Sequence, residues 1–261
     1  MNFPQRTDIE QLARQAGAIL REGYGKQHQI GYKGKIDVVT EADHASEAFL
    51  IQSIQARFPG HGIVAEESGS LGASQDCWYI DPLDGTVNYA HHLPIFAVSI
   101  GFARQGELRL GAVYDPMRDE LFSAERGKGA ALNGEPIHVS ETAEMIRSLL
   151  VTGFPYGPWE EIQRNLDNYA LFTRHCQAIR RLGSAALDLC YIACGRLDGF
   201  WEIKLSPWDV AAGGLIALEA GAVVTDLQGQ ADFMQPPNSI LAANPQIHPQ
   251  MLKIFQDSHS R

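Results

Sequence analysis

Two aspartates three residues apart, in Asp81-Pro82-Leu83-Asp84-Gly85-Thr86, carry the most chemistry in their spacing. Pro82 fixes one backbone dihedral and Gly85 permits an unusual one, so the chain can turn sharply and aim both carboxylates at one point. Two such charges repel unless a cation joins them. Carboxylate and carbonyl oxygens are the donors a hard divalent ion such as Mg²⁺ accepts. An ordinary turn with solvated aspartates fits the same residues, since Asp-Pro and Asp-Gly are common turn dipeptides. On the hexapeptide alone the two readings stand even.

Other motif classes drop out on inspection. A calcium-binding EF-hand loop beginning at Asp81 needs Glu at its twelfth position, and residue 92 is His. Phosphoaspartate chemistry of the haloacid-dehalogenase kind wants Asp-x-Asp, one residue shorter than the spacing here. Neither a P-loop nor the Rossmann glycine fingerprint occurs. His91 and His92 read as surface histidines.

The elements that must position these acids follow from periodicity. Thr7-x-x-Glu10 has the form of a capping box, followed by Ile9, Leu12, Ala16, Ile19 and Leu20 at helical spacing. Lys33, Gly34 and Lys35 belong to a glycine-punctuated loop. Thr40-x-x-Asp43 opens a second helix, with Ala45, Ala48, Phe49 and Ile51 expected inward. Two apolar runs, 62–65 and 77–80, each stop in acid, at Glu66 and at Asp81, and the ends of such strands are where open α/β sheets bind ligands. Phe96 to Ile137 reads as an antiparallel meander with a turn at Asn133-Gly134. Beyond Ser148 strands and helices alternate, with helices expected over 160–176, 184–193 and 208–220 and strands over 222–226 and 239–243. The expected division is an α+β lobe over 1–146 with most of the acids, and an α/β lobe over 147–261 that adds Asp209.

Composition bounds the function. Among 261 residues, 21 are Lys or Arg and 31 are Asp or Glu, a net charge of −10. That excess argues against direct nucleic-acid binding, which uses clustered bases, and it means that a substrate phosphate needs a bound cation. The longest near-apolar stretch, Val210 to Val224, is interrupted by Glu219 and falls short of the ~20 residues that span a bilayer. The first residues lack a basic, apolar secretory pattern, so a cytoplasmic location without membrane attachment is the expectation. Cys77, Cys176, Cys190 and Cys194 form no C-x-x-C pair and read as free thiols.

Taken together, Asp81-Pro82-Leu83-Asp84-Gly85-Thr86 and Trp208-Asp209-Val210-Ala211-Ala212-Gly213 resemble the two signatures of the inositol monophosphatase family. Asp37-Val38-Val39-Thr40 with Asp43, Ala65-Glu66-Glu67-Ser68 and Gly183-Ser184-Ala185-Ala186 fall in family order, so the resemblance covers nearly the whole chain. One departure is Val87, where many members carry Thr. The resemblance implies a layered αβαβα sugar-phosphatase fold and a cytoplasmic, lithium-sensitive, homodimeric Mg²⁺-dependent phosphatase. It implies that Glu66, Asp81 and the Leu83 carbonyl hold one Mg²⁺ and that Asp81, Asp84 and Asp209 hold a second. A weaker third ion would rest on Glu66 and water. Asp43 pairs with Thr86 to orient and deprotonate the attacking water, and Asp37 serves the outer shell or positions its loop. Asp209 has a simpler alternative as an acid in a helix first turn, and Asp43 one as a cap.

For substrate, Gly195 to Glu202 resembles the inositol-phosphatase branch. There Glu202 contacts ring hydroxyls near the Ala185 backbone, with Asp209 beside it, while backbone N–H groups of Gly85 and Thr86 hold the phosphoryl oxygens. Phosphatases of 3′-phosphoadenosine nucleotides and of histidinol phosphate share the metal signatures and stay open as alternatives. Arg180 to Asp188 resembles a bacterial branch whose members act as partners of the transcription machinery and ribosome biogenesis, through protein contacts.

Overall fold

The computed structural model describes residues 3–26, 30–32, 38–235 and 238–259. Lys33, Gly34, Lys35 and Asp37 lie outside them. In chain order the elements are α1 (Arg6–Gly23), β1 (Ile30–Tyr32), β2 (Val38–Thr40), α2 (Glu41–Arg57), β3 (Gly62–Ala65), β4 (Gly69–Leu71), β5 (Asp76–Asp84) and α3 (Thr86–Ala90). The meander follows as β6 (Ala97–Arg104), β7 (Glu107–Asp115), β8 (Glu120–Glu125), β9 (Ala130–Leu132) and β10 (Glu135–Pro136). The remainder is β11 (Leu149–Thr152), α4 (Trp159–Thr173), β12 (Ala178–Arg180), α5 (Ala185–Ala193), β13 (Gly199–Ile203), α6 (Pro207–Glu219), β14 (Val223–Thr225), β15 (Ser239–Ala243) and α7 (His248–His259).

Two main sheets result. One has eight strands in the order β10-β9-β8-β7-β6-β5-β3-β4, and the other five in the order β12-β11-β13-β15-β14. The side-chain period of two sorts the strand residues into three cores. Trp78, Ile80, Ile100 and Ala112 face α1 and α2, while Ala97, Val113 and Phe122 face α5 and α6. In the second sheet Phe200 and Ala242 point to the same α5–α6 layer, and their neighbours Trp201 and Leu241 pack outward with Phe172 of α4 and Phe255 of α7. The layers are therefore helix, sheet, helix, sheet, helix, as expected. Because α5 is covered on both sides, all nine of its residues are buried, which is what an almost uniformly apolar helix requires.

The middle layer fits closely because β6 and β7 carry glycine where α6 crosses. A Cβ at Gly101 would stand 2.7 Å from the Ala211 Cβ, and one at Gly111 would stand 2.8 Å from the Ala212 carbonyl oxygen. The small residues of Ala211-Ala212-Gly213 thus let the helix backbone approach the sheet, which fixes Asp209 one half-turn upstream.

Local expectations need two corrections. The first helix is capped at Gln5, whose capping box is completed by Asp8, so the Thr7-x-x-Glu10 match lies inside the helix. Helix α2 does begin at the Thr40 cap, but its inward face is Ala42, Asp43, Ser46, Glu47, Leu50 and Ile54, with Ala45 and Ala48 exposed and Phe49 and Ile51 half-buried. The buried stripe is rotated because this helix turns polar side chains toward the site. The four cysteines are free, His91 and His92 are exposed, and among the described residues no helix is long and apolar enough to cross a membrane.

Candidate active site

Strands β3 and β5 are parallel neighbours, with Ala65 opposite Ile80. The residues that follow, Glu66 and Asp81, therefore leave the same edge of the sheet side by side, and the Glu66 amide donates to the Ile80 carbonyl. Between Asp81 and Asp84 the pairing of β5 with β6 slips, a bulge of the kind that re-aims side chains. The Asp81 Oδ1 accepts from the Leu83 amide at 3.0 Å and the Ser46 hydroxyl donates to the Pro82 carbonyl at 2.9 Å. The sharp exit uses Gly85 at φ 95°, where a Cβ would meet the Ile95 carbonyl oxygen at 2.9 Å. No other residue fits there without strain.

Helix N-termini converge on the same place. Asp84 Oδ2 accepts from the Ser184 hydroxyl at 2.6 Å and from the Ala186 amide at 2.8 Å, at the start of α5. Asp209 sits in the first turn of α6, where its Oδ2 accepts from the Ser206 amide at 2.7 Å. Both placements put acid against the positive end of a helix dipole. The capping role of Asp209 and its position in the cleft coexist.

The result is a cleft of about 450 Å³ lined by Glu66, Asp81, Leu83, Asp84, Gly85, Thr86, Ala185, Asp188, Glu202 and Asp209, together with Arg181, Ser184 and the 153–157 loop. Burial drives the Asp81 carboxyl well above the usual range, and the charges of Glu66, Asp84 and Asp209 push it further. Burial likewise raises Asp209 well above its ordinary value against the Ser206 bond, and moves Asp84 up to about 6 against its hydrogen bonds to Ser184 and Ala186. Glu202 is pushed up to about 8, first by burial and then by the charge of Asp84. Such a concentration of acids is costly without a cation. Of the two cations that line the cleft among the described residues, Lys204 is held by Glu161 at 2.7 Å.

Asp43 is buried beneath this surface. Its Oδ2 accepts from the Thr40 amide at 2.8 Å and from the Thr40 hydroxyl at 2.6 Å, which is the cap, while its Oδ1 lies 3.0 Å from the Thr86 hydroxyl. The Thr86 hydroxyl also lies 2.9 Å from the Leu83 carbonyl oxygen. With one proton and two acceptors, it donates to one of them at a time. Burial raises the Asp43 carboxyl against these bonds.

Apart from Asp37, which lies outside the described residues, the expected site residues thus meet at one cleft or directly beneath it. The donors are carboxylates and a backbone carbonyl, a hard oxygen set suited to Mg²⁺. Among the described residues no group of three or more His, Cys, Asp or Glu stands ready-made as a metal cage, so the fit is one of donor chemistry and charge. Glu202 is buried against Gly153, where any Cβ would overlap its carboxylate. Two supporting residues were not anticipated. Glu47 accepts from the Glu67 amide at 2.8 Å and from the Ser68 hydroxyl, pinning the loop that follows Glu66. Asp188 lines the cleft from α5, and its sequence signal is a lone acid inside an apolar helix.

A five-layered fold with a cleft of oxygen ligands between its sheets defines a class of phosphate-ester hydrolases. Residues 5–260 match the inositol monophosphatase family, and the chain belongs to that family and is a phosphatase. It is 46% identical over 239 residues to an inositol-1-monophosphatase of Synechocystis, covering 90% of this chain and 83% of that one. It is 42% identical over 261 residues to the Nus factor SuhB of Salmonella typhimurium, covering 98% and 97%. The crystal structure of the extragenic suppressor protein suhB from Bartonella henselae superposes with a TM-score of 0.90 at 39% identity, covering 94% of this chain and 96% of that one.

Proposed function

We propose that this chain is a Mg²⁺-dependent phosphate monoesterase that releases inorganic phosphate from myo-inositol monophosphate. The observation that carries the reading is the meeting of Glu66, Asp81, Asp84 and Asp209 in one cleft, with the Thr86 hydroxyl and Asp43 beside them. Glu66, Asp81 and the Leu83 carbonyl would hold one ion, and Asp81, Asp84 and Asp209 a second, with a third resting on Glu66. When bound, the ions lower the pKa of water and stabilise charge on the transferring phosphoryl group and the leaving oxygen.

The protein's own part is orientation and proton handling. When the Thr86 hydroxyl donates to Asp43 Oδ1, its lone pairs face the cleft and can accept from the attacking water. Asp43 stabilises that arrangement from below, while Glu66 fixes the water on its other side. On this reading the Gly85 and Thr86 amides, at the entry to α3, donate to phosphoryl oxygens. Glu202, which lines the same cleft as Ala185 and Asp209, accepts from leaving-group hydroxyls. On this reading residues 1–146 form a lobe with most of the ligands, and 147–261 a lobe that adds Asp209 and the substrate wall. Water attacks phosphorus directly, without a phosphoenzyme.

The test is phosphate release from myo-inositol monophosphate, a 3′-phosphoadenosine nucleotide and histidinol phosphate, with and without Mg²⁺ and Li⁺. Single turnover in ¹⁸O water should place one solvent oxygen in the phosphate. A trapped phosphoaspartate, or turnover that ignores Mg²⁺, overturns the mechanism. A second reading, favoured by relatives named as Nus factors, gives the chain a protein partner in the transcription machinery. An Asp84→Asn variant that loses phosphate release but still supports every cellular function would favour it.

A further inference from the structure

Asp188 is the residue of the cleft that the proposed reaction leaves without a task. It is 1% exposed, it lines the cleft, and it is the lone charged side chain in the wholly buried helix α5. Its Oδ1 is buried without a hydrogen-bond partner among the described residues. Such an atom is expensive to keep in an apolar helix, and a donor that enters the cleft and reaches the carboxylate offsets that cost. The surroundings say what kind of donor. Glu202, also buried, shares the cleft with Asp188, and their charges repel, while Arg181 attracts both. The other cation among the described residues of the cleft, Lys204, is taken by Glu161. Among the described residues, a second anionic group on the substrate would therefore face two buried carboxylates with one guanidinium to offset them. A neutral group rich in O–H donors would satisfy both.

We propose that Asp188 is a specificity-determining residue whose carboxylate, at the cleft wall, accepts a hydrogen bond from a leaving-group hydroxyl, so that with Glu202 it selects uncharged polyols over bisphosphates. This inference rests on the phosphatase reading given above and adds the basis of its choice of leaving group. A site built to pair with a substrate hydroxyl rejects analogues lacking it, because the buried acceptor is then left unpaired.

The experiment compares wild type with Asp188→Asn, and with Asp188→Ser as a second variant. The substrates are myo-inositol monophosphate, fructose bisphosphate and p-nitrophenyl phosphate, which has no polyol. Expected for Asp188→Asn is a fall of at least tenfold in kcat/KM for inositol monophosphate relative to p-nitrophenyl phosphate, seen mainly in KM. The preference over fructose bisphosphate should narrow. An equal loss on all substrates, or a shift in the Mg²⁺ concentration for half-maximal rate, places Asp188 at the phosphate end and overturns the proposal, as does no change. Thermal unfolding adds an arm that needs no turnover. The ligand-free Asn variant should melt at or above wild type, since a neutral isostere replaces an unpaired buried acid. Inositol monophosphate should protect wild type more than inorganic phosphate does, and the variant should lose that excess. A wild type that hydrolyses nothing refutes the phosphatase reading, while the protection arm still decides the role of Asp188.

Discussion

Replacing Gly101 by alanine tests whether the approach of α6 to the first sheet sets the geometry of the acids. The new Cβ would stand 2.7 Å from the Ala211 Cβ and 3.2 Å from the Ala212 nitrogen, whereas ordinary contact begins at 3.4 Å, a shortfall of 0.7 Å on the nearer atom. Neither neighbour is the tip of a flexible side chain, so the helix itself must back away. Overpacking of this kind costs about 1–3 kcal/mol, and each kcal/mol lowers the melting temperature of a chain this size by roughly 2–4 °C. Asp209 lies two residues before Ala211 and moves with it. Since a misplacement of about 1 Å in a catalytic array can cost roughly 10²-fold, phosphate release should fall by about tenfold or more, with a higher Mg²⁺ requirement. The matched control is Gly62→Ala, in the same sheet, where the nearest atom to a new Cβ is 3.4 Å away. Urea unfolding and phosphate-release kinetics on both variants decide the matter. Equal behaviour of the two, or a destabilised Gly101→Ala with wild-type turnover and Mg²⁺ dependence, would refute the argument.

Further expectations concern the groups around the cleft. Glu47→Gln keeps shape but turns a charge-assisted pin on Glu67 and Ser68 into a weaker one; it should cost about 1–2 kcal/mol in urea unfolding and raise the Mg²⁺ concentration for half-maximal rate. Asn165→Leu removes the acceptor for the Trp201 indole N–H and the donor to the Gly153 carbonyl. It should cost ~2–5 kcal/mol, because two buried groups lose their partners, and should raise KM through the wall behind Glu202. The metal-free protein should lose stability as pH rises. Asp84 near 6 and Glu202 near 8 are both raised above their unfolded values, so their contribution is complete below about pH 4 and is lost as pH passes through 6 and 8. Saturating Mg²⁺ should flatten that slope, and the difference between chelated and loaded protein isolates the cleft from His61 and His248, whose lowered values act in the opposite sense in both samples. An identical pH profile with and without Mg²⁺ would count against a cation among these acids.

Much of this was legible because it is written in local chemistry. The cap at Thr40, the strand that stops before Glu66, the glycine exit at Gly85 and the acid in the first turn of α6 each follow from a short stretch of sequence, whereas β5 runs on past Asp81 to Asp84. What escaped depends on tertiary surroundings. The inward face of α2 could not be read from apolar spacing, because Asp43, Ser46 and Glu47 are buried there to serve the site rather than to fill a core. Gln5 displaced Thr7 as the first cap, a shift of two residues that propensity does not resolve. Helix α7 follows the last expected strand, and its buried Met251 and Phe255 find their partners only in the outer core of the second sheet. Glu47 carries no signal at all in one dimension, since a glutamate in a helix is ordinarily solvated.

The bonds from Asp84 to Ser184 and Ala186 tie a side chain of the first sheet to the opening turn of a helix that serves the second. That link makes the cleft a gauge of registry between layers. Anything that lets the sheets slip past one another by a fraction of an ångström, whether heat, a distant substitution or a partner levering on either sheet, changes the spacing of the acids before it unravels a strand. Affinity for the ions should accordingly weaken earlier in a denaturation series than circular dichroism does.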